Sequence, residues 1–445
     1  MAIERTQRAD EFAHAAEAAT SPHVGRPLRD LQRRAAMVLE SVVTDGAALH
    51  QVLPPLMADL PTPSDRGALQ DMTYGSLRQL GRLDAWLDAL LERPLTDSAL
   101  GWLLRVGLYQ LAFSRAPAHV IVHNAVEAAG TGWRRGLANA VLRNFQRRRA
   151  ALDHLADTQP RARWSHPVWW QEKLAVAYPD RWQAVLAASL LHPPFTVRVN
   201  RRRSDVATYL GRLSASNIDA RQTGPDALTL ARALPVTQLP GFDAGEVSIQ
   251  DAGAQWAARL LDAQPGERVL DACAAPGGKT GHLLERAPLD LVALDSDASR
   301  LVRVRENLDR LGLEARLIVG DAAQPASWWD GRPFDRILAD VPCSASGVVR
   351  RNPDVKWLRR PEDIAGFAAQ QARMLDALWP LLAPGGTLLY ATCSIFREEN
   401  TDQVAAFLAN HPDAERLSLP APLTDGSLLP DAEHDGFFYA CLTKT

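Results

Sequence analysis

The first part of the chain carries a helical pattern of hydrophobic positions. From residue 28 to about residue 152, apolar residues recur at intervals of three and four, as in LQRRAAMVLESVV and SALGWLLRVGLYQLAF. This spacing places the apolar side chains on one face of a helix. Prolines at positions 54, 55, 61, 94 and 117 interrupt the pattern and mark turns between short helices. The pattern predicts an all-α helical bundle over residues 28–152.

The last part of the chain alternates short strand-like segments with helical ones. The predicted strands are 268–272, 291–295, 315–319, 334–340 and 387–392, and the helical segments between them include 299–311 and 361–382. Such alternation is typical of an α/β Rossmann fold with a doubly wound parallel sheet, in which ligands bind beyond the carboxyl ends of the strands. The pattern predicts a Rossmann-fold domain over residues 251–445.

Two further segments complete the predicted domain organisation. Residues 153–250 contain a cluster of tryptophans and one clear strand candidate, 195–199, which favours a small α+β connecting module. Residues 1–27 are polar and alanine-rich, and we predict a flexible tail with a short helix at 11–19. The predicted order is therefore tail, helical bundle, connecting module and Rossmann-fold domain.

Composition limits the class of protein. The chain has 445 residues, of which 47% are hydrophobic and 23% are charged, as in a protein with a packed core. Its four cysteines lie far apart with no Cys-x-x-Cys pair, which excludes a disulfide scaffold and a zinc ribbon. The chain has no apolar run long enough to span a membrane, and its first residues lack a signal-peptide core. We expect a cytoplasmic monomer with no metal ion and no membrane association.

The net charge of −3 conceals an uneven distribution along the chain. Residues 1–170 carry 20 basic and 17 acidic groups, whereas residues 251–445 carry 20 basic and 28 acidic groups. Basic side chains are concentrated at 134–149, 198–203 and 350–360. Three such clusters favour contact with a polyanion, although any one of them alone is usually a solvated face.

The first strand of the predicted Rossmann domain runs into the loop CAAPGGKT. A glycine pair between a strand and a helix exposes backbone N–H groups to a ligand. Residues 273–280 match a phosphate-binding loop apart from its first glycine, which is replaced by Cys273. Pro276 also removes an N–H that would hold phosphate. A nucleoside triphosphate therefore stays an alternative, but the loop favours a different nucleoside ligand.

Acidic residues follow three successive predicted strands, at Asp271, Asp295 and Asp321. Asp295 stands where a Rossmann-type site places an acid on the ribose hydroxyls. Because no G-x-G-x-x-G motif is present, the arrangement suits a nucleoside without pyrophosphate, such as S-adenosylmethionine. A single acid at such a position is often a helix cap, and the prediction depends on the three together.

Two cysteines follow the next two predicted strands, Cys343 in ADVPCS and Cys393 in YATCS. One cysteine in such a place is usually inert packing, but two at neighbouring strand ends suggest chemistry. Carbon 5 of cytosine is weakly nucleophilic until a thiolate adds to carbon 6, so a thiol would provide covalent catalysis. A carboxyl group near N3 would assist that addition.

These motifs resemble those of the RNA (cytosine-5) methyltransferases. The stretches that carry the resemblance are DACAAPGGKT, VALD, GDA, ADVPCSASGVVRRNPDVKW and YATCSIFREEN. In the helical part, HVIVHNAVEAA and RRGLANAVLRNFQR resemble a NusB-type RNA-binding domain. The combination is similar to the bacterial 16S ribosomal RNA (cytosine-5) methyltransferase B family over nearly the whole chain from residue 28.

The resemblance implies roles for individual residues. It implies Cys393 as the nucleophile, Cys343 as the residue that assists release, and Asp340 as a group in both the catalytic and the cofactor site. DNA cytosine-5 methyltransferases use the Pro-Cys cysteine instead, so the Thr-Cys-Ser cysteine favours RNA. In the implied S-adenosylmethionine site, Asp295 would bind the ribose and Asp321 would lie near the adenine. The residues of this implied site are those of the loop together with three acids: Cys273, Ala274, Ala275, Pro276, Gly277, Gly278, Lys279, Asp295, Asp321 and Asp340.

The resemblance also implies a partner, 16S ribosomal RNA that is free or in early assembly. A paired cytosine hides carbon 6, so the base must be flipped out before attack. The predicted RNA contacts are basic side chains in the helical part and after the Pro-Cys loop: Arg134, Arg135, Arg143, Arg350, Arg351 and Lys356. The alternatives are the same chemistry on another ribosomal or transfer RNA cytosine, a non-catalytic RNA-binding scaffold, and a P-loop NTPase.

Overall fold

The structure is a computed structural model that describes residues 25–445. The described residues form two compact units, one of residues 25–172 with 352–359 and one of residues 173–351 with 360–445. The tail predicted at 1–27, with its short helix, lies outside the described residues except for its last three positions. Among residues 25–445, no helix has the length and apolar character that a membrane crossing requires.

The first unit is helical, as the spacing of apolar residues predicts. Its helices are α1 (Leu28–Val43), α2 (Leu49–Ala58), α3 (Pro63–Arg78), α4 (Leu80–Leu90), α5 (Ser98–Phe113), α6 (Ala118–Ala128), α7 (Trp133–Thr158) and α8 (Pro160–Trp164). Side chains cap two of them, since Thr62 accepts a hydrogen bond at the start of α3 and Asp97 at the start of α5. Trp86 and Phe145 pack in the core with ring centroids 4.9 Å apart.

The boundary predicted after residue 152 falls inside helix α7. Leu152 and Ala156 continue the buried face of that helix, so the helical unit does not end there. Two helices follow, α9 (Val168–Ala177) and α10 (Trp182–Leu190). The division between the two units lies within α9, after Glu172.

A short segment from the C-terminal half of the chain belongs to the first unit. Asp354 accepts a hydrogen bond from the backbone N–H of Leu49 (3.0 Å), and Trp357 Nε1 donates to Leu77 O (2.7 Å). Lys356 Nζ donates to Arg78 O (2.9 Å), and the lysine side chain is fully buried. Burial lowers the pKa of Lys356 well below its usual value. Residues 352–359 are therefore an integral part of the helical core.

The second unit contains a small antiparallel sheet and a larger one. The small sheet has the order β2 (Ala220–Gln222), β3 (Ala227–Leu230), β1 (Phe195–Val199) and β4 (Val247–Ile249), and it packs with helix α11 (Val206–Ala215). Its core is formed by buried side chains such as Val197, Tyr209 and Leu228. The strand predicted at 195–199 is confirmed.

The larger sheet forms the Rossmann-like part. Its strands in spatial order are β10 (Ala414–Arg416), β12 (Phe437–Lys444), β9 (Leu382–Thr392), β8 (Phe334–Asp340), β5 (Arg268–Asp271), β6 (Asp290–Asp295) and β7 (Arg316–Val319), with β11 (Ser427–Leu428) beside β12. The helices along this part are α12 (Trp256–Leu261), α13 (Gly278–Arg286), α14 (Ala298–Leu311), α16 (Asp363–Leu378) and α17 (Thr401–Asn410), while α15 (Val355–Leu358) lies in the first unit. Apolar side chains form a core on each face of the sheet.

The structure corrects two details of the predicted sheet. Strands β5 to β9 are parallel, but β12 pairs antiparallel with β9 and β10 antiparallel with β12, so the sheet is mixed. The helix predicted at 361–382 ends at Leu378, because Pro380 follows in a short 3₁₀ turn and strand β9 begins at Leu382. All five predicted parallel strands are confirmed, and their carboxyl ends meet at one edge.

Candidate active site

The cofactor loop joins the carboxyl end of β5 to helix α13. Gly277 precedes the helix with φ at 95°, and a Cβ there would lie 3.1 Å from the backbone of Val304, so only glycine fits. The backbone N–H of Ala275 donates to Asp295 Oδ2 at 3.1 Å. Arg300 donates to Ala275 O (2.9 Å) and lies 3.4 Å from Asp295 Oδ1. These contacts hold the loop against the end of β6.

Asp271 lies beneath the loop at the end of β5. Thr280 donates to its Oδ2 at 2.7 Å, whereas its buried Oδ1 has no hydrogen-bond partner among the described residues. Burial raises the pKa of Asp271 to about 7, against the opposing effects of the Thr280 hydrogen bond and of Lys279. This carboxyl group therefore titrates near neutral pH and has an oxygen available to a ligand.

Lys279 pairs with Asp340 inside the site. Its Nζ donates to Asp340 Oδ2 at 2.6 Å, and Asp340 ends strand β8. Burial lowers the pKa of Lys279, but the neighbouring Asp340 outweighs that effect and the pKa is raised overall. The lysine is therefore charged and engaged with a carboxylate.

Asp321 differs from the other acids at the strand ends. It lies two residues beyond β7 and is exposed, whereas Asp295 and Asp271 are buried. Its carboxyl group accepts hydrogen bonds from Ala323 N (2.9 Å) and Gln324 Nε2 (3.0 Å). Asp321 thus caps its own turn as the structure stands, and its place near an adenine stays a prediction.

The two predicted catalytic cysteines meet at the edge of the sheet. Cys343 Sγ and Cys393 Sγ lie 3.3 Å apart, although 50 positions separate them in the chain. Backbone hydrogen bonds join the two loops, from Gly347 N to Cys393 O (2.8 Å) and from Val341 N to Ala391 O (3.1 Å). The hydrogen bond with Cys393, together with burial, raises the pKa of Cys343 well above its usual value.

The other two cysteines have different surroundings. Burial, with contributions from Asp340 and Asp271, raises the pKa of Cys273 well above its usual value. Burial raises the pKa of Cys441 on β12 to about 12. Both are free thiols held in their neutral form.

A buried polar network under the cysteines escaped the sequence interpretation. Glu399 is fully buried and accepts hydrogen bonds from Ser344 N (2.8 Å) and Ser394 Oγ (2.5 Å). Gln371 Nε2 donates to Glu399 Oε1 (3.1 Å) and to Pro342 O (3.0 Å). The only available signal was the acidic pair in FREEN, directly after the Thr-Cys-Ser motif. The network ties both cysteine loops to one carboxyl group.

The structure contradicts the RNA contacts predicted at Arg350 and Lys356, which are buried, and it engages Arg351 in ion pairs. Arg350 is buried against Asp435 and donates to Asp431 O (2.6 Å). Arg351 is bound by Asp435 and by Asp251 (2.8 Å). Lys356 is buried in the first unit, as described above. Arg350 and Arg351 are occupied by acidic partners that lie far away in the sequence, whereas Lys356 is buried against a backbone carbonyl.

One side chain of the basic cluster at 198–203 is also buried and paired with an acid. Arg198 is fully buried, with Glu285 Oε1 at 2.6 Å and Oε2 at 2.8 Å. Its Nη1 donates to Gly278 O (2.9 Å) at the start of α13. The small sheet therefore supports the end of the cofactor loop through Arg198.

The basic residues of helix α7 remain at the surface. Arg134 and Arg135 keep 48% of their side-chain surface exposed while pairing with Asp97 and Glu127, and Arg143 donates to Asn139 Oδ1 at 2.8 Å. No cluster of three or more histidine, cysteine or acidic side chains suited to a metal ion is found in the described range 25–445.

Comparison with known proteins identifies the family. The model of the "16S rRNA methyltransferase RsmB/F" family matches residues 258–443, a ferredoxin-like domain of RsmF/B-like methyltransferases matches 166–237, and the NusB family matches 29–147. Ribosomal RNA small subunit methyltransferase B of Pseudomonas syringae pv. tomato is 46% identical over 430 residues, covering 92% of this chain and 96% of its own length. The chain belongs to the ribosomal RNA small subunit methyltransferase B family.

Solved structures agree with this membership. The crystal structure of PH0851 superposes with a TM-score of 0.74 and 24% identity, covering 93% of this chain and 99% of that one, which supports the fold. A methyltransferase homologue from Pyrococcus horikoshii gives a TM-score of 0.56 with 30% identity, covering 64% of this chain and 97% of its own. The comparisons confirm the type of each predicted domain and their order along the chain, which is a NusB-like bundle, a connecting module and a methyltransferase domain.

As a member of this methyltransferase B family, the chain is an S-adenosylmethionine-dependent RNA methyltransferase. The residues present fit that cofactor. The free Oδ1 of Asp271 offers an acceptor, Asp295 is fixed at the end of β6, and the carboxyl groups suit a ligand with a cationic sulfonium and amine. The cofactor and the enzyme class predicted from the sequence are confirmed.

Proposed function

We propose that the enzyme methylates carbon 5 of a cytosine in 16S ribosomal RNA through a covalent bond between Cys393 and carbon 6. The observation that carries the proposal is the contact between Cys343 and Cys393, whose sulfur atoms lie 3.3 Å apart. The names of the relatives, which state small-subunit ribosomal RNA, support the substrate. Two thiols beside one charged Lys279–Asp340 pair suit addition to a pyrimidine and its reversal.

The attack step is assigned to Cys393. The raised pKa of Cys343 means that this thiol keeps its proton and can donate it toward Cys393 Sγ. When Cys393 gives up its own proton to solvent, its sulfur accepts this hydrogen bond as a thiolate, which is the nucleophilic form. Addition of that thiolate to carbon 6 moves the ring electrons toward carbon 5 and N3, and makes carbon 5 nucleophilic.

Asp340 is assigned to the pyrimidine ring. It ends strand β8, three residues before Cys343, and Lys279 holds its carboxyl group. In its protonated form, Asp340 would donate its proton to N3 as negative charge develops on the ring, and Lys279 would stabilise the carboxylate that this transfer leaves. S-adenosylmethionine, when bound, supplies the electrophilic methyl group. Lys279 orients Asp340 and offsets the negative charge of the surrounding acids.

Release is assigned to Cys343. After methylation, the proton on carbon 5 must leave while the bond between carbon 6 and sulfur breaks and the ring double bond forms again. Cys343 lies close enough to Cys393 to reach carbon 5, which is bonded to the carbon 6 that Cys393 attacks. Cys343 would first lose its own proton to solvent and would then accept the carbon-5 proton as a thiolate, and the high pKa of the thiol makes that thiolate a strong base.

We further propose that helix α7 guides the RNA. A groove of about 440 Å³ in the helical unit is lined by His119, His123, Asn139 and Arg143. Arg134 and Arg135 lie at the start of the same helix and are half-exposed. Such side chains suit phosphate contacts, which position RNA without reading its sequence. The enzyme would act as a monomer on free or early-assembly RNA, in which the target base can be flipped out.

Covalent trapping tests the proposed chemistry. The variants Cys393→Ser and Cys343→Ala are incubated with S-adenosylmethionine and 16S RNA, and protein–RNA adducts are measured on denaturing gels. Cys393→Ser should lose methyl transfer and form no adduct, while its affinity for S-adenosylhomocysteine stays within about twofold, since the thiol is outside the cofactor loop. Cys343→Ala should accumulate the adduct.

The matched control is Cys441→Ala, which changes a buried thiol away from the reaction and should methylate normally. Bisulfite sequencing of the RNA identifies the cytosine. Full activity of Cys393→Ser would refute the covalent mechanism. An adduct in Cys393→Ser but none in Cys343→Ala would show that the two roles are reversed.

A further inference from the structure

Glu399 lies at the point where the two cysteine loops meet. It ends the 3₁₀ turn Arg397–Glu399, six residues after Cys393, and it is fully buried. No cation contacts its carboxyl group among the described hydrogen bonds and ion pairs, and all three recorded donors to that group are neutral. A buried carboxyl group without an ion-pair partner is costly to maintain, so it calls for an explanation.

The hydrogen bonds of Glu399 connect the loops symmetrically. Its Oε1 accepts from the backbone N–H of Ser344, and its Oε2 accepts from the hydroxyl of Ser394. Ser344 directly follows Cys343, and Ser394 directly follows Cys393. The carboxyl group therefore fixes the residue after each thiol, and the distance between the thiols depends on it.

Neighbouring groups hold Glu399 in this orientation. Gln371 of helix α16 donates to Glu399 Oε1 and also to Pro342 O, the residue before Cys343. Tyr390 of strand β9 donates to Gln371 Oε1 (3.1 Å) and to the backbone carbonyl of Glu399 (2.6 Å). The Pro-Cys loop is thereby held on both sides of its cysteine.

The serine hydroxyl groups complete the link. Ser346 Oγ lies 3.0 Å from both Ser344 Oγ and Ser394 Oγ, and Ile395 N donates to it at 2.9 Å. Because Ser394 donates its proton to Glu399 and Ser344 donates its proton to Ser346, the hydroxyl group that can donate to Ser394 is that of Ser346. Hydroxyl groups and one carboxyl group thus form a connected network that fixes one arrangement of both loops.

We propose that Glu399 is a positioning residue that sets the separation of the Cys343 and Cys393 thiols. The inference rests on the proposed function, in which the two thiols act on bonded carbons of one base. A carboxyl group suits this task because both of its oxygens accept, whereas a glutamine would present one acceptor and one donor. Loss of Glu399 would let the loops move apart while leaving the cofactor loop intact.

The first measurement reports the thiol separation without any methyl transfer. The enzyme is treated with diamide, an azo-dicarboxamide oxidant, which takes two electrons and two protons from the thiols, becomes the hydrazine and leaves a Cys343–Cys393 disulfide. Mass spectrometry of the linked peptides gives the rate of disulfide formation. Glu399→Ala should form the disulfide about tenfold more slowly, because hydrogen bonds to a carboxyl group are lost from both loops. Glu399→Gln should show a smaller decrease, since it keeps one acceptor.

The matched control is Glu398→Ala, one residue away on the surface, where the side chain pairs with Lys173. It should keep the wild-type rate of disulfide formation. In turnover, Glu399→Ala should lower kcat without changing KM for S-adenosylmethionine, and Glu399→Gln should restore part of kcat. A purely structural role would instead lower thermal stability and cofactor affinity together.

A folded Glu399→Ala variant with the wild-type rate of disulfide formation would overturn the proposal. If that variant does not fold, Ser394→Ala tests the proposal instead, because this substitution removes only the donor to Glu399 Oε2. An unchanged rate of disulfide formation in Ser394→Ala would then overturn the proposal. Should the disulfide rate fall as expected while Cys343→Ala forms no RNA adduct, the proposed function fails and the positioning role stands. The two ideas are therefore tested separately.

Discussion

The titration of Asp271 should control how the affinity for S-adenosylmethionine depends on pH. Burial raises the pKa of this carboxyl group to about 7, and its Oδ1 has no hydrogen-bond partner among the described residues. A cationic ligand favours the ionised carboxylate, so binding should strengthen as pH rises through the pKa. Below the pKa, protonation of Asp271 should weaken binding.

The size of the effect follows from the pKa. If only the ionised form binds tightly, the affinity should fall about 50-fold between pH 7 and pH 5, which corresponds to about 2.3 kcal/mol of binding free energy. The decrease in affinity should approach tenfold per pH unit near pH 5. The free-state pKa of about 7 sets the position of this window. Groups that titrate near 4 would produce almost no change in the same range.

Isothermal titration calorimetry with S-adenosylmethionine at pH 5 to 7 measures the effect directly. Asp271→Asn is the matched variant, because an asparagine oxygen can still accept the hydrogen bond from Thr280. Its affinity should be weaker at pH 7 and nearly independent of pH. The reasoning is refuted if Asp271→Asn retains the wild-type slope, or if the wild-type affinity is constant over this range.

Two further predictions concern the charged side chains of each unit. Lys279→Gln removes the cation that holds Asp340, so single-turnover methyl transfer should slow by at least about tenfold while the protein stays folded. A wild-type rate of methyl transfer in this variant would contradict the role of the Lys279–Asp340 pair. Arg143→Glu should weaken RNA binding and reduce the slope of log affinity against log salt by about one, as measured by filter binding. Arg332→Glu, at an exposed position of the other unit, is its control and should bind normally, and equal losses in both variants would contradict guidance by helix α7.

Local patterns were sufficient for much of this fold. The spacing of apolar residues predicted the helical bundle and the five parallel strands, because periodicity records which face of an element is buried. Strands β12 and β10 were missed, since the pairing of β12 with β9 depends on residues about 50 positions away. The division after residue 152 failed for a similar reason. Helix α7 continues there because its far end packs within the bundle.

Charge was the least reliable guide. Arg350 and Lys356 look like parts of a basic RNA-binding stretch in the chain. In the folded protein, Arg350 meets Asp435 and Lys356 enters the helical core, so neither is at the surface. A sequence reports the sign of a charge but not the partner that neutralises it.

The sequence by itself determined the kind of elements, the cofactor loop and the presence of two cysteines after neighbouring strands, because each of these is written in contiguous residues. Only the tertiary structure decided that Cys343 and Cys393 lie 3.3 Å apart, that Lys279 faces Asp340, and that Glu399 joins both loops. These contacts arise where parallel strands end at one edge of the sheet. They bring together residues that are tens of positions apart, and short-range pattern carries no record of such distances.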